Sequence, residues 1–180
     1  KIKKKKVICD TLLSTDSIKI KKIGIKRKIL SPWLRPKKLS HSKSSSAESA
    51  IHAINWYEKE HFKINGLLLL QPTSPFRDYK DILKAIKIFI KYKRKIVSVS
   101  PIKKHFQDMY EISNTYLKHK VKQKKNNNDL YVCNGYLYLF SIKKLKDKKT
   151  FYAGNAIPFV IKSNIKSIDI DDKYDLEIAR

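Results

Sequence analysis

Glycine and cysteine are scarce in this chain. Only four of the 180 residues are glycine, and neither a Walker-type glycine loop nor a dinucleotide fingerprint is present. The two cysteines, Cys9 and Cys133, are too few and too far apart for a disulfide framework or a zinc site. This cysteine usage predicts a protein of the reducing cytoplasm.

Long apolar segments are missing as well. No run approaches the roughly 18 residues that a membrane span requires, and "KIKKKKVICD" at residues 1–10 has no long apolar stretch after its charges. The sequence therefore predicts neither a membrane span nor a secretory signal. No serine nucleophile elbow is present, and the five histidines have no metal-ligand spacing. Acyl transfer and histidine-based metal sites are thus without support.

Acidic residues are few beside basic ones, which gives a net charge of +25. Lysines neutralise nucleic-acid phosphates, so nucleic-acid binding is one interpretation. However, the lysines are spread along the whole chain among abundant Ile and Asn, as in products of AT-rich genomes, and cluster only at Lys3–Lys6 and Lys19–Lys28. We therefore favour biased composition over nucleic-acid binding. A basic cleft that attracts a polyphosphate is compatible with this view.

What is present is an alternation of strand and helix patterns. With 42% hydrophobic residues, the chain is suited to one domain over residues 1–180. Helical periodicity begins at Ser46, at Asp78 and after Asp172. Strands are expected within 7–17 and at 67–70, 96–100, 130–140 and 164–170. This alternation predicts an α/β fold with a mainly parallel sheet. The piece between residues 101 and 130 does not fit the pattern.

The stretch "LLLLQPTSPFR", residues 67–77, joins an apolar run to a polar loop. Leu67–Leu70 predict a strand buried on both faces, as parallel strands are, and the two prolines end it. Ligands bind beyond the carboxyl ends of strands in open parallel sheets, where the prolines would hold the polar side chains in place before binding. The alternative is a proline-rich turn before a helix capped by Ser74 or Asp78.

The stretch "SIDIDDKYDLEIA" contains several carboxylates. Asp169 and Asp171 lie two apart in an expected strand, so both side chains project from the same face. Two such carboxylates repel unless a cation lies between them, and magnesium binds through one or two carboxylates, water and substrate phosphates. The alternative is that Asp171 or Asp172 caps the last helix while Asp169 is solvated. We favour the metal site, because capping does not explain Asp169 between two isoleucines.

Together these stretches resemble the acylneuraminate cytidylyltransferases, also called CMP-sialic acid synthetases. "LLLLQPTSPFR" is similar almost letter for letter to the family's Leu-Leu-Gln-Pro-Thr-Ser-Pro-Leu-Arg stretch. The resemblance runs from about Lys5 to the end of the chain. Four further stretches follow in the family's order and spacing: "STDS" (14–17), "LRPKKLS" (34–40), "CNGYLYLF" (133–140) and "SIDIDDKYDLEIA" (167–179).

The resemblance implies a doubly wound α/β fold of the nucleotide-diphospho-sugar transferase type, with a dimerisation insert at about 101–130. It implies that the anomeric hydroxyl of a nine-carbon 2-keto acid sugar attacks the α-phosphate of CTP, which releases pyrophosphate and forms a CMP-sugar. Such displacements need positioning and charge neutralisation more than covalent chemistry. The implied partners are CTP, a sialic-acid-like sugar and a second copy of the chain, with no membrane.

The resemblance also implies roles for individual residues. Magnesium would be held by the catalytic pair Asp169 and Asp171. The cytosine or its ribose would contact Arg35 and Ser46. The sugar would be met by a loop, a strand and an aromatic pair that often comes from the neighbouring subunit: Gln71, Thr73 and Ser74; Asn134 and Tyr138; Phe151 and Tyr152.

One part of the family pattern has no counterpart in the sequence. The family opens with a strand and a loop rich in Gly, Arg, Ser and Lys that cradles the triphosphate through backbone amides. This chain begins at a segment that matches the strand before "STDS". We therefore expect an N-terminally truncated fold with weakened nucleotide binding. The alternative to an enzyme is an inactive, truncated remnant that acts as a structural or dimerisation module.

Overall fold

The computed structural model describes residues 10–41, 43–102, 110–113, 116–119, 130–151 and 155–180. The helices are α1 (Ile18–Lys26), α2 (Ser46–Glu60), α3 (Tyr79–Tyr92), α4 (Ile142–Lys148) and α5 (Lys173–Ile178). The strands are β1 (Gly66–Leu69), β2 (Ile96–Pro101), β3 (Tyr110–Ser113), β4 (Tyr116–His119), β5 (Tyr131–Ser141) and β6 (Ile157–Val160). None of the helices described is long and apolar enough to span a bilayer.

The chain divides into two compact units. The first unit is Lys1–Leu67 with Ser141–Gly154, and the second is Leu68–Phe140 with Asn155–Arg180. The expectation of one domain over 1–180 stays a prediction.

Helix α2 of the first unit confirms the helix predicted from the sequence. Ser45 caps it, because the Ser45 hydroxyl accepts a hydrogen bond from the backbone N–H of Ala47 while the Glu48 carboxylate accepts one from the N–H of Ser45. Its apolar face is buried, including Ile54 and Tyr57. Capping and periodicity agree here, which is why the sequence was sufficient to locate this helix.

Two elements of the first unit differ from the expectations. Within the described residues, the strand expected at 7–17 is reduced to an isolated parallel bridge between Leu12 and Leu30. Helix α1 was not predicted, because its isoleucines and lysines alternate without a clear helical period. It begins after Ser17, whose hydroxyl accepts a hydrogen bond from the N–H of Ile20 at 3.4 Å.

The second unit contains a four-stranded sheet in the order β1-β5-β2-β6. Strand β2 pairs antiparallel with β5 and parallel with β6. The α/β class is therefore confirmed, and the antiparallel pairing of β2 with β5 makes the expected mainly parallel sheet a mixed one. The centre of β5, from Tyr136 to Phe140, is buried, as are Ala85, Ile86 and Phe89 on one face of α3. These residues form the core that supports the loops beyond the sheet.

Strand β1 is only half buried, and Leu70, after its end, is 40% exposed. The expectation that Leu67–Leu70 would be buried on both faces was therefore wrong. The reason is position, because β1 lies at the edge of the described sheet and has only β5 as a neighbour. An edge strand has side chains next to it on one side only.

The last strand of the sheet is β6, and not the strand expected at 164–170. Residues Ile165–Ser167 form a 3₁₀ helix, and the chain becomes extended only at Ile168. Pro158 hid β6 from the sequence pattern. Its missing N–H is tolerated because β6 is an edge strand that pairs with β2 alone in the described sheet.

Strand β5 runs through Asn134 and Gly135, where the sequence predicted a break. The pairing with β2 shifts register between Val97 and Val99, opposite this point, and Gly135 has a φ of 69°. Only glycine adopts this backbone readily. The Asn134-Gly135 pair therefore marks an irregularity inside a continuous strand and not the end of one.

Strands β3 and β4 form a separate antiparallel hairpin within the expected dimerisation insert. Much of the insert, including residues 103–109 and 120–129, lies outside the described residues. Its role in dimerisation stays a prediction.

Candidate functional site

The loop after β1 is held in a tight turn. The backbone N–H of Ser74 donates a hydrogen bond to the carbonyl of Gln71 at 3.3 Å. Asp78 then caps α3, because its carboxylate accepts a hydrogen bond from the N–H of Lys80 at 2.8 Å. The turn-and-cap alternative is therefore correct for Asp78. Ser74 is not the cap, so its hydroxyl has no role in capping α3.

Arg77 holds both ends of this loop to β5. Its Nη2 donates to the carbonyl of Gln71 at 2.7 Å and to that of Gly135 at 3.3 Å, and its Nε donates to the carbonyl of Tyr136. Burial lowers the pKa of the Arg77 guanidinium, while the charge of Asp169 acts in the opposite direction. The guanidinium thus joins the loop and the strand near the first predicted magnesium ligand.

Asp169 lies against the same loop and strand. The backbone N–H of its neighbour Ile170 donates to the carbonyl of Thr73 at 2.8 Å. A Cβ placed on Gly135 would lie 2.9 Å from Asp169 Oδ2 and 3.1 Å from Ser74 Oγ. The two motifs that the sequence singled out, the loop and the acidic stretch, therefore meet at Gly135.

Two oxygens at this meeting point are buried without a partner. Neither Asp169 Oδ1 nor Ser74 Oγ finds a hydrogen bond within the described part of the chain. A buried carboxylate oxygen without a partner costs free energy, so such an atom points to a missing donor or cation. Their burial without a partner makes Asp169 and Ser74 candidates for contact with a ligand, a role that stays a prediction.

The acidic residues after Asp169 divide into different roles. The Asp172 carboxylate accepts hydrogen bonds from the N–H groups of Tyr174 and Asp175 and caps α5. Asp171 is exposed, and its backbone N–H donates to Asp175 Oδ2 at 2.9 Å. The cap is therefore Asp172, which leaves the carboxylates of Asp169 and Asp171 available.

This donor set fits magnesium and fits a transition metal poorly. The described ranges contain no group of three or more His, Cys, Asp and Glu side chains that could hold a metal ion. Magnesium needs no such group, since one or two carboxylates suffice when substrate phosphates and water supply the other ligands. The carboxylates of Asp169 and Asp171 are ligands of the type that such an ion takes, and their joint binding of magnesium stays a prediction.

A cluster of charged and polar side chains that the sequence did not reveal connects segments next to the candidate site. Lys166 Nζ lies 2.8 Å from Asp81 Oδ2 and 3.4 Å from Asp78 Oδ2. The buried Tyr136 hydroxyl donates to Asp81 at 2.9 Å and accepts from the N–H of Asp78 at 2.7 Å. We call Asp78, Asp81, Tyr136 and Lys166 the α3 cluster. It ties the 3₁₀ helix before Asp169 to the start of α3.

The pKa directions in the α3 cluster follow from these contacts. The hydrogen bond to Asp81 raises the pKa of the Lys166 ammonium. The hydrogen bond from the N–H of Lys80 lowers the pKa of the Asp78 carboxyl, and burial raises that of the Tyr136 hydroxyl. Each shift keeps the ion pairs and the neutral hydroxyl in place at neutral pH. No sequence signal could have found this set, because its members come from three separate segments.

The residues expected on the sugar-facing strand are engaged within the chain. The Asn134 side-chain amide donates to Ser100 Oγ at 2.8 Å and accepts from the N–H of Tyr136 at 3.2 Å. Tyr138 is 4% exposed, and its ring is stacked on that of Phe140. Asn134 thus fixes the irregular part of β5. A sugar contact for either residue stays a prediction.

The residues expected to meet the nucleotide lie in the first unit. Arg35 Nε donates to Ser40 Oγ at 3.2 Å, and Arg35 Nη2 lies 3.5 Å from Asp16 Oδ1. The loop that carries Arg35 is anchored by Trp33, whose ring centroid is 4.7 Å from that of Trp56 on α2. The guanidinium is thus oriented by its neighbours while part of it remains exposed.

Ser46, Phe151 and Tyr152 differ in their surroundings. Ser46 is exposed at the first position of α2, where Ser45 and not Ser46 forms the cap. Phe151 is buried in the chain. Tyr152 lies outside the described residues. The roles of these three residues stay predictions.

Two curated proteins are similar to this chain. It is 30% identical over 172 residues to the CMP-N,N'-diacetyllegionaminic acid synthase of Legionella pneumophila, an alignment that covers 92% of this chain and 74% of that protein. It is 31% identical over 153 residues to the N-acylneuraminate cytidylyltransferase of Escherichia coli, which covers 81% of this chain and 35% of that protein. No protein-family model matches the chain.

A solved structure is similar in fold. The 4-diphosphocytidyl-2C-methyl-D-erythritol synthase of Anaerococcus prevotii superposes with a TM-score of 0.58 over 93% of this chain and 77% of that one. The sequence identity is 13%. At this identity the superposition supports the fold and carries no statement about substrates.

Proposed function

Because the chain belongs to the family of acylneuraminate cytidylyltransferases, we propose that it transfers CMP from CTP to a nine-carbon 2-keto acid sugar. The anomeric oxygen of the sugar forms a bond to the α-phosphorus of CTP. The bond from that phosphorus to the bridging oxygen breaks, and pyrophosphate leaves with the electron pair. The hydroxyl proton passes to solvent. The products are a CMP-sugar and pyrophosphate.

The observation that carries this proposal is that the side chains of Asp169 and Ser74 both lie close to Gly135. Asp169 Oδ1 and Ser74 Oγ are buried without a partner among the described residues, and a Cβ on Gly135 would lie 2.9 Å from Asp169 Oδ2 and 3.1 Å from Ser74 Oγ. In-line phosphoryl and nucleotidyl transfers depend on such pre-positioned groups more than on covalent catalysis. The site therefore suits a reaction in which charge is held in place while an oxygen is exchanged at phosphorus.

The roles of the chain's residues follow from this chemistry. Asp169 and Asp171 would hold magnesium, which when bound neutralises phosphate charge and lowers the pKa of the attacking hydroxyl. Gln71, Thr73 and Ser74 would orient the sugar from a loop that Arg77 fixes at both ends. Arg35 and Ser46 would hold the nucleotide. The basic surface implied by a net charge of +25 favours the approach of a triphosphate.

The substrate range and setting belong to the same proposal. The relatives' names contain two different sugars, a diacetylated legionaminic acid and an acylneuraminate. We propose a sugar of this class for the present chain, a homodimer as the working form, and the cytoplasm as its location, in line with the two cysteines of the sequence. The absence of a membrane-spanning helix among the described residues is compatible with that location.

A direct assay tests the proposal. The protein is incubated with CTP labelled at the α-phosphate, magnesium, and N-acetylneuraminate, legionaminate or pseudaminate in turn, and the label is followed into a CMP-sugar. We expect one sugar to give a labelled product together with pyrophosphate. Asp147→Asn, at an exposed position of α4, serves as a control that should retain activity.

The alternative of a structural module predicts a different result. If no sugar is labelled and calorimetry with CTP and magnesium detects no binding, while sedimentation shows a stable dimer, the enzyme proposal is overturned in favour of that module. Binding of CTP without turnover would instead reject the sugars tried and retain the nucleotide half of the proposal.

A further inference from the structure

The side chain of Arg77 contacts two of the three segments at the candidate site, the loop after β1 and strand β5. Three backbone carbonyls accept its hydrogen bonds, one at the start of the loop, Gln71, and two on β5, Gly135 and Tyr136. A planar guanidinium can serve all three at once because its donors are held in a rigid fork. An ammonium group is a point charge on a flexible stem and cannot replace this geometry.

We infer that Arg77 is a positioning residue for the proposed CMP transfer, since it sets the distance between the loop and β5 at the place where Asp169 fits. This inference rests on the proposed function. The space in question is narrow, because a Cβ on Gly135 would already be 2.9 Å from Asp169 Oδ2 and 3.1 Å from Ser74 Oγ. A small shift of the loop against the strand therefore changes how the carboxylate and the hydroxyl face each other.

The charge of Arg77 and its geometry have opposite consequences for a cation at Asp169. The guanidinium is a positive charge close enough to interact with Asp169, so removing that charge alone would strengthen the attraction of magnesium to the carboxylate. Loss of the guanidinium's hydrogen bonds would let the loop move relative to β5 and would weaken the attraction of magnesium to Asp169. Arg77→Lys keeps the charge and removes the fork, which isolates the geometric contribution.

The experiment compares Arg77→Lys and Arg77→Gln with two control variants, Arg94→Lys and Arg94→Gln, at an exposed arginine of the same unit. The first measurement is hydrogen exchange of the amides of Ser74 and Ile170, which donate to the carbonyls of Gln71 and Thr73. We expect faster exchange at both amides in the Arg77 variants and no change in the Arg94 variants. Exchange at the wild-type rate in Arg77→Lys would overturn the inference.

The second measurement is the magnesium concentration that gives half-maximal CMP transfer. In Arg77→Lys we expect this concentration to rise and kcat/KM to fall by about 10- to 100-fold, as is typical when a group that supports a ligand is lost. A variant that merely lost part of its folded population would show a lower kcat with an unchanged magnesium requirement. That result would assign Arg77 a structural role and reject the inference.

The two measurements separate this inference from the proposed function. If the wild-type protein forms no CMP-sugar, the proposed function fails, and the exchange rates alone decide whether Arg77 fixes the loop. If the wild type is active and Arg77→Lys has wild-type magnesium dependence, the inference fails and the function stands. Should Arg77→Lys not fold, the exchange rates of Ser74 and Ile170 in Arg77→Gln decide instead, because the magnesium dependence of that variant combines loss of the charge with loss of the geometry.

Discussion

The backbone N–H of Ile170 donates a hydrogen bond of 2.8 Å to the carbonyl of Thr73. This bond joins the acidic stretch near the end of the chain to the proline-stiffened loop after β1. It brings the carboxylate of Asp169 to the loop that carries Ser74. Had the two stretches lain at different ends of the sheet, no common site could have formed from them.

Gly135→Ala should damage this meeting point directly. The added Cβ would lie 2.9 Å from Asp169 Oδ2, and the φ of 69° disfavours any side chain. The left-handed backbone alone costs about 1–2 kcal/mol. We therefore expect a lower free energy of unfolding in urea and a higher magnesium requirement for CMP transfer.

A matched control for this substitution is Gly66→Ala on β1. Gly66 has no positive φ, as Gly135 is the one glycine with that backbone among the described residues. We expect this variant to retain the wild-type magnesium requirement. If Gly135→Ala matched wild type in both stability and magnesium requirement, the close approach of Asp169 to Gly135 would be refuted.

Asp169→Asn should separate activity from stability. Its Oδ1 is buried and has no partner among the described residues, so the carboxylate costs free energy in the folded protein without a cation. A neutral amide costs less free energy to bury than an unpaired carboxylate, and the substitution also removes the proposed metal ligand. We expect CMP transfer to fall by at least about 100-fold, in line with loss of an electrostatic catalytic group, while the melting temperature stays equal or rises.

The outcome for Asp171→Asn differs, because this carboxylate is exposed. We expect a loss of activity with no gain in stability. If instead both variants kept wild-type activity, magnesium would not be held by this pair.

Local signals were enough to predict much of the fold. The sequence predicted α2 from Ser46, α3 from Asp78 and α5 after Asp172, because a possible capping residue and a helical period lie within a few residues of each other. The structure then identifies the caps as Ser45, Asp78 and Asp172. The strand expected at 164–170 failed for the opposite reason. Alternating apolar residues there serve a 3₁₀ helix and an extended segment whose partner, the Thr73 carbonyl, is remote in sequence.

The sequence predicted the motifs that meet at the candidate site, but it did not predict the contacts that hold these motifs in place. Asp169 and Ser74 stood out as residue types in unusual settings, and the structure brings both to Gly135. Arg77 stood out only as the last residue of the loop motif, and Lys166 did not stand out at all, since their partners are backbone carbonyls and carboxylates from other segments. Contacts of this kind arise only once the chain has folded, so a single sequence does not display them.

Tyr136→Phe tests the α3 cluster. The Tyr136 hydroxyl is a donor to Asp81 and an acceptor for the N–H of Asp78, and its ring is fully buried. Loss of a hydrogen bond to a charged group costs about 1.5–3 kcal/mol, and the upper part of this range applies only if water cannot enter. We expect urea unfolding to show a loss of this size.

Tyr131→Phe is the control for that substitution, on the same strand at a residue that is 45% exposed. Its free energy of unfolding should stay within about 0.5 kcal/mol of wild type, as is usual for surface changes. Equal stability of Tyr136→Phe and Tyr131→Phe would mean that the α3 cluster contributes nothing measurable.

The ion pair between Glu58 and Lys146 predicts a pH dependence of the first unit. Lys146 Nζ lies 2.9 Å from Glu58 Oε2, and this hydrogen bond lowers the pKa of the Glu58 carboxyl in the folded protein. The unfolded chain therefore takes up a proton at a higher pH, near the ordinary value of about 4.3. The stability from this pair is complete above that value and is lost as the pH falls through the lower, folded pKa.

Urea unfolding of wild type and Glu58→Gln between pH 7 and pH 3 measures this loss. Wild type should be the more stable protein at pH 7, and the difference should shrink as the pH falls below about 4.3. The same substitution, Glu58→Gln, is then compared in a protein that also carries Lys146→Met. There the stability difference should change less with pH, because the largest cause of the lowered Glu58 pKa is absent. A difference between wild type and Glu58→Gln that is the same at pH 7 and at pH 3 would show that Glu58 gains nothing from Lys146 in the folded state.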